Sequence, residues 1–378
     1  GNLILEASQG GIGTSIKPVN LGLGSGATFI GRAQNGVYVD FTGDAAIDTV
    51  YSPQDVSLQA TGALLGANKD QLINVLGTDV TLSAASIGSL TQALNVGNNL
   101  GGGITASADG LINLYGPANN LFDIKSVTST TGSITLTAGF EGIIDGPVKA
   151  PGGVTLDAGG RFVISGVGDV ESTAGDVSVL GNSLKMINGA TITADVGKVL
   201  VHTAGDALVT GITSGSGTSD AVQITSDGGH VLAGTDPHRP YDIKAMASGA
   251  GVTITAKLGI GDETEADDAW QDGPNDPAGT ANAITNVGNP ILVLSPVLSL
   301  NSTDGDIYAD ALAPEVTVNI NAGKGNVYLQ AAGKLNLGNI TVSKQLTLGA
   351  NDLSGTIHQS LPPSGPLQLS ITGYHGAV

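Results

Sequence analysis

Short segments of alternating apolar and polar residues run through this chain, each bounded by glycine or another turn residue. In eleven four-residue segments the second and fourth positions are apolar, most often valine, isoleucine or leucine. These segments are 55–58, 79–82, 133–136, 153–156, 176–179, 198–201, 221–224, 251–254, 306–309, 326–329 and 345–348. A two-residue period places side chains on alternate faces of a strand, and no segment has the 3.6-residue period of a helix. The pattern predicts an all-β chain of short strands joined by turns.

The segments recur at a regular spacing. Their first apolar positions are 134, 154, 177, 199 and 222, and again 307, 327 and 346, a period near twenty-two. A leucine-rich repeat needs a Leu-x-x-Leu-x-Leu frame, and a propeller blade needs about 40 residues and several tryptophans. The chain lacks that frame and has one tryptophan. We therefore predict a right-handed parallel β-helix of about 22 residues per rung, with three short strands in each rung.

A longer repeat lies over the first. Residues 3–62 align with 80–139, so that 12–14 (Ile-Gly-Thr) matches 87–89 (Ile-Gly-Ser). Two further matches, 36–38 with 110–112 and 56–60 with 134–138, have nearly the same offset. The offset predicts an internal duplication of roughly three rungs.

These phrases carry a family resemblance. Segments 2–7, 11–14, 33–39 and 132–139 resemble the repeat shaft of filamentous-haemagglutinin-like bacterial adhesins, especially the leukotoxin-type filamentous adhesins. The resemblance covers most of the chain and is clearest over residues 1–230. It implies an extracellular β-helical shaft that is exported through the outer membrane and used in cell adhesion or biofilm cohesion.

Composition and charge narrow the partners. The chain is 40% apolar and only 12% charged, whereas disordered chains are poor in apolar residues and rich in charge. The net charge of −19 argues against nucleic acid and anionic membranes, because both require basic patches. The absence of cysteine excludes disulfides, thiolate metal sites and a cysteine nucleophile. No apolar run reaches the roughly 18 residues of a membrane span. We expect an extracellular protein at the bacterial cell surface, without membrane insertion.

One acidic stretch interrupts the rung pattern. We expect residues 1–378 to form a single β-helix shaft, with this stretch inserted at about 259–288. Seven carboxylates lie within fifteen residues beside the only tryptophan: Asp262, Glu263, Glu265, Asp267, Asp268, Asp272 and Asp276. Calcium binding is the functional interpretation, because hard cations collect several carboxylate and carbonyl oxygens. The stretch lacks the Asp-x-Asp-x-Asp-Gly frame, so the alternative is a solvated acidic loop and a chain without a cofactor.

Familiar catalytic motifs are missing from the sequence. The five histidines, at 202, 230, 238, 358 and 375, form no His-x-x-x-His or His-Glu pair. The glycine clusters at 22–26 and 215–217 have no helical pattern after them, which favours turns over a serine nucleophile elbow. The segment 238–241 (His-Arg-Pro-Tyr) is either an ordinary exposed turn or a contact for a sugar or carboxylate.

Three functions are compatible with this pattern. We expect a structural and binding segment without catalysis, whose ligand is a host or matrix carbohydrate or a surface protein. The alternative is a polysaccharide lyase or hydrolase, which needs Asp or Glu, often with Lys or Arg, on adjacent rungs of one face. Against it, the chain has only three arginines, Arg32, Arg161 and Arg239. The third is a subunit whose ends associate with other copies to build an extracellular fibre.

Overall fold

The computed structural model describes residues 1–67, 72–234, 240–261, 290–350, 352–355 and 368–372. Within these residues the chain is all-β, and its parallel strands stack in turns of about 22 residues to form a β-solenoid. This confirms the predicted fold class. The described residues contain no helix that could span a membrane. Contacts divide the chain into two compact units, 1–197 and 198–378, and the prediction of a single shaft stays a prediction.

Unit 1 consists of short strands with alternating burial. Its described strands are β1 Asn2–Ala7, β2 Val19–Leu21, β3 Thr28–Ala33, β4 Val37–Phe41, β5 Ala45–Tyr51, β6 Val56–Ala60, β7 Ala63–Gly66, β8 Val75–Ala84, β9 Ser86–Ile87, β10 Leu94–Ala108, β11 Ile112–Gly116, β12 Asp123–Ser129, β13 Ile134–Ala138, β14 Glu141–Ile144, β15 Pro147–Ala150, β16 Val154–Ile164, β17 Asp169–Ser172, β18 Val177–Met186 and β19 Thr191–Ala194.

Unit 2 is built in the same way. Its described strands are β20 Val199–Thr203, β21 Ala207–Val209, β22 Ile212–Ser214, β23 Val222–Ser226, β24 His230–Ala233, β25 Ile243–Ala245, β26 Val252–Ala256, β27 Gly259–Ile260, β28 Ile291–Leu294, β29 Val297–Ser302, β30 Ile307–Ala311, β31 Glu315–Ala322, β32 Val327–Ala331, β33 Lys334–Val342, β34 Gln345–Gly349, β35 Asp352–Gly355 and β36 Gln368–Thr372.

Strand register confirms the predicted period. In unit 1, Ile134 pairs with Val154, and Val154 pairs with Val177 on the following rung. In unit 2, Val199 pairs with Val222. The second predicted run also pairs as expected, position 307 with 327 and 327 with 346. The repeated apolar residues are therefore the inward positions that stack from rung to rung.

One step in unit 2 is much longer than the others. Val252 pairs with Leu298 on the next rung, so the chain between these two stacked positions is about twice as long as the usual rung. The predicted acidic insertion at about 259–288 falls in this interval, but Gly259 and Ile260 form a rung strand. Residues 262–289 lie outside the described residues.

Aromatic side chains enter the narrow core where a glycine faces them. Phe162 is fully buried and pairs in register with Gly142 on the preceding rung. A Cβ placed on Gly142 would stand 2.3 Å from Phe162 Cε1. The missing side chain of one rung thus provides the space for the ring of the next.

Serine hydroxyls stabilise one type of corner. The Ser129 hydroxyl donates to the Gly110 carbonyl at 2.7 Å and accepts from the Gly132 amide at 2.8 Å. Ser172 in unit 1 and Ser226 in unit 2 make the same pair of bonds within the same Ser-x-x-Gly phrase. All three side chains are buried, so the corner satisfies backbone groups that would otherwise lose their water.

The internal duplication has the same local structure in both copies. Ile12 forms a parallel bridge to Val37, and Ile87 pairs with Ile112, which lies equally far ahead in the chain. Gly13 and Gly88 follow with φ of 66° and 68°, in the left-handed region that favours glycine.

The two copies nevertheless lie on different rows. The row of Ile12 continues through Val37 and Val56 to Val80, three rungs later. Ile87 lies on another row, between Leu64 and Ile112. The residue that stacks three rungs after Ile12 is therefore Val80. The residue that matches Ile12 in the sequence repeat is Ile87, seven positions further along the chain. The duplication offset is therefore roughly three rungs but is not a whole number of rungs.

Candidate functional site

Ion pairs join adjacent rungs on the outer surface. Glu6 and Arg32 occupy paired positions, and so do Glu141 and Arg161 and, in unit 2, Glu315 and Lys334. Their N–O distances are 3.2, 2.8 and 3.0 Å. The other pairs between adjacent rungs are Lys149 with Asp169 and Glu171, Lys198–Asp220, and Lys257 and Lys324 with Asp304. Lys125 reaches across one rung to Asp79, which lies two rungs away.

More than half of the lysine and arginine side chains form these ion pairs. Of the 14 Lys and Arg residues, eight bond a carboxylate within the described residues. The hydrogen bonds that the Lys149 ammonium donates to Asp169 and Glu171 raise the pKa of Lys149. The chain has 33 Asp and Glu residues, so carboxylates outnumber cations more than twofold. The outer surface is therefore acidic, and most of its cations are already bonded.

A half-buried carboxyl group stands at the start of β12. The side-chain amide of Asn98 donates to Asp123 Oδ2 at 3.0 Å, and the Asp123 amide donates to Asn98 Oδ1 at 2.9 Å. Asn98 is buried, and its side-chain amide also donates to the Gly102 carbonyl at 3.1 Å. These bonds fix the Asp123 carboxylate in one orientation on the outer face.

Other charged groups surround Asp123. Burial raises the pKa of Asp123, the Asn98 hydrogen bond lowers it, the carboxylates of Asp145 and Glu141 raise it, and Lys125 lowers it. Glu141 bonds Arg161, which lies on the rung after β14. We call Asp123, Glu141, Asp145, Lys125 and Arg161 the acidic cluster. A raised pKa beside other carboxylates is one feature that general acids share.

The acidic cluster does not form a metal site. No group of three or more His, Asp or Glu side chains in the described parts of the chain is arranged to hold a metal ion. The seven acidic residues predicted from sequence, 262, 263, 265, 267, 268, 272 and 276, lie outside the described residues. Calcium binding there stays a prediction.

A pair of stacked tyrosines marks the outer face of unit 2. Tyr308 and Tyr328 occupy paired positions on β30 and β32, and their rings are 4.7 Å apart between centroids with 7° between planes. The Tyr308 hydroxyl donates to Asp306 Oδ2 at 3.3 Å, and the Asn326 amide donates to Asp306 Oδ1 at 2.7 Å. Hydrogen bonds and stacking thus orient both rings.

Asp310 lies two residues beyond Tyr308 on the same face and pairs in register with Gln330. Burial raises the pKa of Asp310, and no charged group contributes to that shift. The Asp310 carboxylate has no hydrogen bond or ion pair to any side chain or backbone group among the described residues. We call Tyr308, Asp310, Tyr328, Gln330 and Thr347 the tyrosine strip.

Two histidines have acidic partners that the sequence analysis missed. His202 Nε2 lies 2.7 Å from Asp227 Oδ2, and His230 Nδ1 lies 3.3 Å from Asp206 Oδ1. Hydrogen bonding to His230 lowers the pKa of Asp206. Each partner is about one rung away along the chain, which explains why no short motif reveals the pairs. Histidines 238, 358 and 375 and Arg239 lie outside the described residues.

The glycine clusters behave as predicted. The Ala27 amide donates to the Gly24 carbonyl at 3.0 Å, which closes a turn before β3, and residues 215–217 follow strand β22. The next element after each is a strand, so neither cluster is a nucleophile elbow.

Comparison with known proteins adds no family to this picture. No protein-family model, curated protein or solved structure matches the chain.

Proposed function

We propose that this chain is a structural and binding segment of the shaft of a large secreted bacterial adhesin, used in cell-surface adhesion or biofilm matrix cohesion. The observation that supports it most is that most lysine and arginine side chains are paired with carboxylates on nearby rungs. A lysine or arginine bonded to a carboxylate on the next rung ties the coil together along its axis. A cation that binds an anionic substrate must instead be free to meet it. The resemblance to filamentous-haemagglutinin-like shafts points to the same function.

The backbone supports the mechanical part of this proposal. Within each unit the strands of one rung pair in parallel with those of the next, for example along the whole length of β13 with β16. Extension along the coil axis would break many such bonds at once, and inward aliphatic residues stack in the same direction. Each unit is therefore suited to transmitting force between its two ends.

A bead assay tests the proposal. Beads coated with the full chain are allowed to settle on immobilised extracellular-matrix proteins, on purified biofilm polysaccharides and on albumin, and the fraction retained under flow is measured. We expect retention on at least one matrix surface above that on albumin. Beads that carry the same amount of heat-unfolded chain are the control and should detach. Equal retention on every surface, or equal retention of folded and unfolded chain, would refute the adhesive function.

The acidic cluster favours a second candidate, a polysaccharide-active enzyme. Glycoside hydrolysis needs one carboxyl group that keeps its proton and a second carboxylate nearby. The pKa of Asp123 is shifted in the direction that the first condition requires, and Glu141 has the residue type of the second. The two residues lie on neighbouring rungs of one face. In this candidate Asp123 is the general acid, and Glu141 or Asp145 is the second carboxylate.

The substitution Asp123→Asn separates the two functions. It removes the proton that a general acid donates but keeps the shape of the side chain. If the chain cleaves a polysaccharide, Asp123→Asn should lower the rate at least about a hundredfold. For a binding shaft the substitution should leave bead retention unchanged, and no cleavage should be detected with either protein.

A further inference from the structure

We propose that the tyrosine strip binds a neutral saccharide chain through one ring face of Tyr328 and the polar groups of Asp310 and Gln330. The inference deepens the proposed function, since it names the class of ligand that the shaft binds. It rests on the proposed function only in the biological role that such binding would have. Ligand binding at the strip is measurable whether or not the segment mediates adhesion.

The geometry leaves part of one aromatic face open. Tyr308 covers one face of the Tyr328 ring. On the other side the paired residue is Thr347, whose side chain is much shorter than a tyrosine. The outer part of that ring face therefore extends beyond its neighbour, and Tyr328 is partly exposed. Stacking on Tyr308 restricts the ring, so little conformational entropy is lost when a ligand packs on it.

Asp310 and Gln330 supply the polar half of the site. Two residues along a strand span about 6.5 Å, so Asp310 lies within one sugar ring of the aromatic pair. When ionised, the Asp310 carboxylate can only accept hydrogen bonds, whereas the side-chain amide of Gln330 both donates and accepts. A carboxylate that is half removed from water without a bonding partner carries a free-energy cost, which hydroxyl donors of a ligand would offset. Sugars combine such hydroxyls with an apolar C–H face.

The charge of the strip selects among saccharides. Asp306 and Asp310 lie beside the rings, and no lysine or arginine belongs to the strip. A sulfated or carboxylated glycan would place like charges next to these carboxylates. The chain as a whole carries −19, which adds long-range repulsion. The ligand class is therefore a neutral glycan.

The experiment titrates the full chain with cellohexaose and chitohexaose, with heparin as the sulfated probe, and measures binding by calorimetry and saturation-transfer NMR. We expect at least one neutral hexasaccharide to bind and heparin not to bind. Tyr328→Ala and Asp310→Ala should each weaken binding about tenfold or more, a change that corresponds to the loss of one good contact. Circular dichroism melting confirms that each variant is folded.

Tyr38→Ala is the matched control. Tyr38 also points outward, and burial raises its pKa, with a smaller contribution from the nearby carboxylate of Asp55. It pairs with Ser57 instead of a second tyrosine, so its replacement should leave glycan binding unchanged. Equal binding by Tyr328→Ala, Asp310→Ala and the wild-type chain would overturn the proposal, as would binding of heparin alone or of no probe. Bead retention could still occur in those cases, so the two failures remain distinguishable.

Discussion

The inward and outward faces of the same strands follow different rules in this molecule. Along β13, β16 and β18 the inward row reads Ile134, Val154 and Val177, and all three are fully buried. An outward row on the same strands reads Thr137, Asp157 and Leu180. The inward row repeats one kind of side chain because each must stack on the last in a dry column. The outward row is free to vary, and the candidate sites lie on that face.

The two outward sites differ in how their carboxyl groups are held. Burial is the largest cause of the raised pKa of Asp123 and also of Asp310. Asp123 has Asn98, two other carboxylates and Lys125 around it, whereas Asp310 has tyrosines and a glutamine. A carboxyl group among charges is suited to proton transfer, and one without partners beside an aromatic ring is suited to binding.

Breaking the inward row should have the largest effect. Val177→Asp places an unpaired charge in the column of unit 1, and we expect it to lower the free energy of unfolding by more than about 4 kcal/mol. Ser178→Asp is the matched control, because it adds the same charge at the next position, on the outward face. It should cost less than about 1 kcal/mol. Denaturant unfolding measures both, and equal losses would contradict the assignment of the two faces.

Overfilling the column should have the next largest effect. In Gly142→Ala the new Cβ would collide with the Phe162 ring, and we expect a loss of about 2 kcal/mol in the free energy of unfolding. Gly24→Ala is the control, since no atom lies within 4 Å of a Cβ there. In the background Phe162→Leu, Gly142→Ala should cost much less. Independent, additive effects would show that the ring and the glycine do not share space.

The outward ion pairs should contribute less. A double-mutant cycle with Glu141→Gln and Arg161→Gln isolates their coupling, which we expect to be about 0.5 kcal/mol, because both side chains are roughly 30% exposed. The coupling should fall as salt is raised from about 0.05 M to about 1 M, where screening is strong. A coupling that exceeds the Gly142→Ala loss would reverse the ranking of inward and outward interactions.

The smallest expected effect has the opposite sign. Because burial raises the pKa of Asp310 in the folded state, ionised Asp310 lowers stability above that folded pKa. Asp310→Asn should therefore raise the free energy of unfolding at pH 7, by less than about 1 kcal/mol. The gain should disappear as the pH falls below about 4, where the unfolded carboxyl group is also protonated.

Asp206→Asn provides the contrast for that measurement. Hydrogen bonding to His230 lowers the pKa of Asp206, so this group stabilises the fold above the unfolded pKa and loses that contribution as the pH falls through the folded pKa. The substitution should therefore destabilise the chain at pH 7. Urea unfolding at several pH values measures both variants, and the same sign for both at pH 7 would contradict the proposed environments.

Sequence alone predicts the column but not the groups outside it. The positions 134, 154 and 177 are predictable because burial enforces apolar residues at every rung. Glu141 and Arg161 lie one rung apart, so no short motif reveals such a pair and at least an approximate register between rungs is needed to find it. The period could have suggested it, because opposite charges one rung apart on outward positions are candidates for pairing.

Asn98 illustrates what remains hidden. It is a buried polar residue in the long strand β10, and its bonds to Asp123 connect two residues that are distant in the sequence. Its sequence neighbourhood is rich in asparagine and glycine, which indicates a turn. A segment rich in asparagine and glycine has the same composition whether its asparagine lies in a turn or forms buried structural hydrogen bonds. The sequence therefore does not distinguish the two cases.

Binding without turnover is the central claim, and one incubation tests it directly. The full chain is mixed with a panel of neutral and acidic polysaccharides, and the bound fraction and newly formed chain ends are measured in the same samples. The account predicts that a neutral polysaccharide binds and that no new chain ends appear. Release of chain ends that Asp123→Asn abolishes would contradict it, and would make the acidic cluster an active site.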